Sequence, residues 1–316
     1  MTPPARRASL LLALASLALT AACSGSGGSP QASPPAATVA AAPGTPSATP
    51  SPAPPPELPR GGRSLLPNYR LVAYYGAPGG GGLGILGEGT PDQAAAAIEK
   101  AAAPYASFGK PVMPVMELIT TVAQASAGPD GTYSAPVYES VIQRYLDAAR
   151  KHKMMLILDF QPGRGEFLTQ VKRYEKFISQ PDVGVALDPE WRVKANQVPG
   201  KVIGAARAEE INEVSAYLAD LTARLDLPQK PLVIHQFTAT MLPDRGAIVA
   251  RPGLAVIYHA DGFGTPQLKR EVYAALALPS VPFAVGFKLF YDEDTPTMTP
   301  AQAMALKPQP DLITYQ

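Results

Sequence analysis

Eight short, strongly apolar runs recur along most of this chain, and they restrict its fold more than any other feature. They are RLVAYY (70–75), PVMPVMEL (111–118), MMLILDF (154–160), VGVALD (183–188), PLVIHQF (231–237), LAVIYHA (254–260), FAVGFKLF (283–290) and DLITY (311–315). Runs this short and this continuous suit parallel strands covered on both faces. Segments with apolar residues at helical spacing lie between several of them. One is PDQAAAAIEKAA (91–102), with Thr90 as N-cap and Pro91 at the first helical position. Others are VYESVIQRYLDAARKHK (137–153) and RAEEINEVSAYLADLTARL (207–225). This alternation over about 250 residues predicts an α/β fold of the (β/α)8 barrel type. No helical pattern follows the eighth run, so the last helix is expected to be missing, with the gap either covered by an N-terminal segment or left as a fraying edge. Pro114 sits badly in a central second strand, because proline cannot donate to the ladder.

A doubly wound open sheet is the rival architecture. It would use GLGILG (82–87), a formal GxGxxG after the first strand. In a dinucleotide fold the helix begins within the glycine motif. Here the cap is Thr90, beyond the last glycine, and no acid follows about 20 residues on, as that motif requires. The glycine run is therefore read as a flexible loop over the barrel mouth, and no cofactor is expected.

The 316 residues begin with a different composition. Arg6 and Arg7 precede an apolar stretch, Ser9 to Thr20, that is too short to span a bilayer with margin. Residues 1–22 therefore read as a secretory signal peptide. Cys23 follows two small residues and is the only cysteine in the chain. This arrangement resembles the lipobox of bacterial lipoproteins, and the resemblance implies acylation of Cys23 and a membrane anchor on the extracytoplasmic face. Residues 24–63 are rich in Ser, Gly, Pro, Ala and Thr. With Cys23 they are expected to form a disordered, semi-stiff tether (23–63), leaving residues 64–316 as the barrel domain. The net charge of +1 offers nothing to a nucleic acid.

Barrel enzymes carry their sites at the C-terminal strand ends, and the polar residues of these runs cluster there. The second run ends in Glu117. The third ends with Asp159 and Gln161 on one face, and the fourth with Asp188 and Glu190 beside Trp191, the only tryptophan. The fifth supplies His235, the sixth His259 and Asp261, and the seventh Lys288 and Asp292. Tyr75 ends the first. Buried charge is costly unless paired, so ionisable groups converging on one rim point to a site. Each also has a structural reading: Lys288 as counter-ion to Asp159 or Asp188, His235 as a satisfied core histidine, Asp292 as part of a polar turn.

A carboxyl pair with flanking aromatic faces suits glycosidic chemistry, which needs one proton donor and a second group for the oxocarbenium-like centre. The D-x-E of VALDPEW (185–191) resembles barrel glycoside hydrolases of the chitinase and lysozyme classes. That resemblance covers one short motif and the strand count. It implies Glu190 as the general acid and Asp188 as the assisting carboxylate. From their positions at or beside the strand ends, Asp159, Gln161, Glu117, Tyr75, Trp191, His235, His259, Asp261, Lys288 and Asp292 are expected to line a carbohydrate site. The whole chain also resembles the exported lipoproteins of high-GC Gram-positive bacteria, which implies localisation rather than chemistry.

Two other readings stay open. One is a non-catalytic surface barrel binding glycan or protein, its acids serving as ion pairs. The other is a metal-dependent hydrolase using Asp159, Asp188, Glu190, His235 and His259, although Tyr74 and Tyr75 stand where barrel metallohydrolases place an HxH pair.

Overall fold

The apolar runs close into a barrel. The computed structural model describes residues 54–277 and 283–316. Parallel strands β1 (Arg70–Gly76), β2 (Val112–Ala123), β4 (Met155–Phe160), β5 (Val183–Leu187), β6 (Lys230–Gln236), β7 (Leu254–Ala260), β8 (Ala284–Leu289) and β9 (Leu312–Tyr315) pair in that order, and β9 returns to β1. The short β3 (Ser134–Pro136) adds antiparallel to the end of β2. The fold is thus the α/β barrel that the strand spacing predicts.

Strand parity divides the side chains. Leu71, Ala73, Met113, Val115, Ile157 and Val233 are among those filling the barrel interior. Val72, Met116, Leu158, Leu187, Ile234 and Phe287 point outward into the layer beneath the helices. Those helices are α1 (Pro91–Ala102), α2 (Glu139–Lys151), α3 (Phe167–Arg173), α4 (Glu175–Ile178), α5 (Ala208–Arg224), α6 (Pro266–Leu276) and α7 (Pro300–Met304). Helix α1 starts at the Thr90 capping box, Thr90 and Gln93 each bonding the other's backbone N–H. The β6–β7 crossover carries only two short 3-10 turns. Among the described residues no helix is long and apolar enough to cross a membrane.

Several expectations change. Strand β2 runs five residues past its expected end, with a register shift between Ile119 and Thr121, so Glu117 lies inside the strand rather than at its tip. Among the described residues the gap beside β9 is not covered by an N-terminal segment. The turn after α1 covers it, with Tyr105 OH 2.7 Å from Tyr315 OH. The N-terminal segment instead closes the opposite end of the barrel, where Leu58 and Leu65 pack with Leu71 and Met113. Within this segment Arg63 Nη1 donates to Pro56 O at 2.8 Å. The signal peptide, Cys23 and the tether up to Ala53 lie outside the described residues.

The glycine loop lies over the mouth but is packed rather than free. Gly84 has φ +114°, and a Cβ there would meet Tyr75 O at 2.4 Å. Only glycine lets the loop fold this closely onto the end of β1.

Candidate active site

The interior parity that stacks Ala73, Val115 and Ile157 in the core places Tyr75, Glu117 and Asp159 one step nearer the mouth. The same rule brings in Gln161, Asp188, His235, His259, Asp261, Lys288 and Thr314 from the neighbouring strands. Sequence residues far apart thereby form one continuous polar layer over an apolar floor.

His235 is its centre. Its Nε2 lies 3.0 Å from Glu117 Oε1, and its Nδ1 2.9 Å from Asp261 Oδ2. Thr314 Oγ1 donates to the other Glu117 oxygen at 3.1 Å, and Lys288 Nζ donates to Asp261 Oδ2 at 3.1 Å. Burial opposes charge on His235, but the bonds to Asp261 and Glu117 outweigh it and hold the imidazole well above its ordinary pKa. Burial likewise opposes charge on Asp261, and Lys288 and then His235 overcome it, so this carboxylate stays ionised. Glu117 is held below its ordinary value in the same way, His235 overcoming burial. Two cations thus neutralise two carboxylates, with Glu117 and His235 fully buried and Asp261 and Lys288 at the edge of a cavity.

The remaining acids are pushed the other way. Burial, opposed by His235 and reinforced by Glu117, lifts Asp159 to about 7, and its Oδ2 accepts a 3.0 Å bond from Tyr75 OH. Burial first, and then the nearby Asp159, Glu190 and Asp261, raise Asp188 well above its ordinary value despite the opposing charge of His235. Burial and the Asp261 charge lift Glu190 to about 7. The environment therefore separates an ionised Asp261 from a protonated Glu190, and such a split between two titratable groups is how acid and base roles are assigned.

Local structure fixes the Glu190 turn. Pro189–Trp191 form a 3-10 turn directly after β5, and Asp188 N donates to Phe160 O at 3.1 Å. Gly204 N donates to Glu190 O at 2.6 Å, an approach that a Cβ would block at 2.5 Å from that same oxygen. Arg192 and Glu210, 2.9 Å apart, tie the turn to α5.

An open cavity of about 430 Å³ lies above this layer. Its polar lining includes Tyr75, Gln161, Asp188, Glu190, Asp261 and Lys288. Lys288 Nζ also sits 3.6 Å from the centre of the Tyr75 ring. Gln161 Nε2 donates to Tyr75 OH at 3.2 Å, which orients the phenol. Among the described residues Asp188 Oδ1 is buried without a hydrogen-bond partner, although other atoms of Asp188 line the cavity.

The expected site residues separate into three groups. Asp188, Glu190, Trp191, Tyr75, Gln161, Asp261 and Lys288 line the cavity. Glu117, Asp159, His235 and His259 are fully buried beneath it and act through neighbours. Asp292 is exposed in the turn after β8 and does not line the cavity, whereas its neighbour Glu293 does. Lys288 bonds Asp261 rather than Asp159 or Asp188. Aromatic residues on loops, Phe237, Phe263 and Phe290, also line the cavity. Their signal in the sequence is only that each follows a strand end.

His235, His259 and Asp261 offer ligand atoms within 4.8 Å of one another, and this trio could hold a metal ion. Both nitrogens of His235 already face carboxylates, and Lys288 adds a cation on Asp261, so the donor set is spent on an ion-pair network. His259 has no partner on either ring nitrogen, and burial, then His235, lower it to about 3, which keeps it neutral.

No model of a known protein family and no curated protein matches the sequence. Among solved structures the chain is similar to the spore coat polysaccharide biosynthesis protein SpsE of Bacillus subtilis. The TM-score is 0.39, with 15% identity over 78% of this chain and 59% of that one. The chain therefore spans less than two thirds of that protein's length.

Proposed function

We propose that this barrel hydrolyses a glycosidic bond in an envelope or environmental polysaccharide, on the outer face of the membrane to which acylated Cys23 would anchor it. One observation carries the reading: Glu190, raised to about 7, and an ionised Asp261 line the same cavity. The D-x-E resemblance of the fourth run agrees with the role of Glu190.

In this reaction Glu190 gives its proton to the glycosidic oxygen as the bond to the anomeric carbon breaks. The leaving sugar departs as an alcohol. Positive charge at the anomeric carbon is stabilised by the Asp261 carboxylate, which Lys288 and His235 hold in place. Water adds its oxygen to that carbon, and its released proton restores Glu190. Asp188, which lines the cavity, takes a hydroxyl of the bound sugar.

The test is release of reducing ends from a panel of envelope and plant polysaccharides. Wild type is expected to release them from at least one glycan, and Glu190→Gln to lose about 10²–10⁴-fold in rate. Saturable binding of a glycan with no cleavage by wild type would instead establish a binding barrel. Unchanged turnover in Glu190→Gln would remove Glu190 from the reaction.

A further inference from the structure

The cavity that holds Glu190 and Asp261 has two unlike halves. Its polar groups come mainly from the strand ends, with Glu293 and Gln316 added at the edge. Much of the rest of the lining is apolar: Leu83 from the glycine loop, Phe237 after β6, Phe263 after β7, Val272 on α6 and Phe290 after β8. A sugar carries hydroxyls around its edge, and each loses free energy if buried without a partner. This wall offers them none.

The wall is also built to stay open. Phe263 is 62% exposed and Leu83 38% exposed. An exposed aromatic usually folds away, but a buried ion pair holds the segments that carry Phe263 and Phe290. Lys269 Nζ donates to Gly262 O at 2.5 Å, to Lys288 O at 2.8 Å and lies 3.0 Å from Asp294 Oδ2. Asp294 in turn accepts from Gly264 N and Phe290 N, both at 2.9 Å. The residues flanking Phe263 and the backbone of Phe290 are therefore fixed by one fully buried hub. The two rings meet edge to face with centroids 5.8 Å apart. A preformed apolar wall beside a polar floor is the design of a small-molecule site with a mixed ligand.

We infer that the substrate is an amphiphilic glycoside, whose sugar lies over Asp188, Glu190 and Asp261 while an acyl, alkyl or prenyl-like chain covers Phe263, Phe290 and Leu83. This rests on the glycoside-cleaving reading of the site and narrows its substrate class.

The probe is the n-alkyl β-D-glucoside series from methyl to decyl, each below its micelle-forming concentration. Binding is read by the fluorescence of Trp191, the only tryptophan and a residue of the cavity. The dissociation constant is expected to fall roughly three- to fourfold per methylene until the wall is covered. In Phe263→Ala that dependence should flatten, and in Glu190→Gln it should persist. A dissociation constant independent of chain length, no saturable response to the decyl glucoside, or an unaltered slope in Phe263→Ala overturns the inference. So does Phe263-dependent binding to phosphatidylcholine vesicles without chain-length-dependent glucoside binding, which would make the wall a membrane contact. A flat slope together with Glu190-dependent cleavage of an unsubstituted glycan removes only this inference. A steep slope with cleavage unchanged in Glu190→Gln removes only the glycosidic reading.

Discussion

His235 bridges Glu117 and Asp261, its two ring nitrogens 3.0 and 2.9 Å from their carboxylate oxygens. The bridge joins β2 to the mouth loop after β7 across the barrel, and after Lys288 it is the next influence that keeps Asp261 ionised. Without Lys288 and His235, burial would raise Asp261 as it raises Asp188.

Glu117→Ala tests the buried half of this bridge. It leaves a protonated imidazole and the Thr314 hydroxyl without their acceptor. Breaking such a buried pair costs about 3–5 kcal/mol. A urea unfolding series should show that loss at pH 7, and a change below about 1 kcal/mol would mean that His235 is not held as a cation.

Lys269→Met tests the hub behind the mouth. It leaves Asp294 as a buried charge and is expected to destabilise the fold by about 3–5 kcal/mol. Combining it with Asp294→Leu should recover a good part of that loss, because an apolar pair of similar volume is often tolerated where a single broken pair is not. Double-mutant unfolding measurements check both statements.

Gly286→Ala probes the floor under the site. A Cβ there would stand 2.4 Å from His259 Cδ2, and the buried ring has little room to retreat. The expected cost is about 1–3 kcal/mol by thermal or urea unfolding. A neutral result would show that the His259 ring moves freely.

Much of the barrel can be read from the chain because strand parity and apolar runs are local properties. Asp159 and Gln161, or His259 and Asp261, share a face by simple alternation, and both pairs do point toward the mouth. Which group bonds which is a different matter. The partner of Lys288 depends on the order of strands around the ring and on β7 standing next to β8, so Asp261 could not be chosen over Asp188 from spacing. Asp292 and Glu293 sit in one polar turn, and only the path of that turn decides which faces the cavity. The extension of β2 was hidden because Thr120 and Thr121 interrupt the apolar run, while Thr121 resumes the pairing with Phe160 beyond the register shift. Leu58 was hidden for the opposite reason: a single leucine among prolines carries no periodicity.

The raised Glu190 carboxyl links pH to stability. Its folded value, about 7, exceeds its ordinary 4.5, so the folded chain binds that proton more tightly than the unfolded one. This contribution is complete below about pH 4.5 and is lost as pH rises to about 7. Glu190→Gln has no such loss. At pH 8 it should be more stable than wild type by about 1–3 kcal/mol, and near pH 4 the two should be nearly equal. Melting temperatures of both proteins across this range give the comparison.

The central claim is that the mouth of this barrel holds Glu190 as a proton donor at neutral pH, and carboxyl-carbon NMR of the labelled protein tests it without any substrate. The difference between wild-type and Glu190→Gln titrations isolates the Glu190 resonance from that of Asp159, which also titrates near 7. A carboxyl with a midpoint near 7, present in wild type and missing in the variant, is the expected result. A Glu190 resonance that titrates near 4.5 would contradict the account, because an acid already ionised at neutral pH has no proton to give.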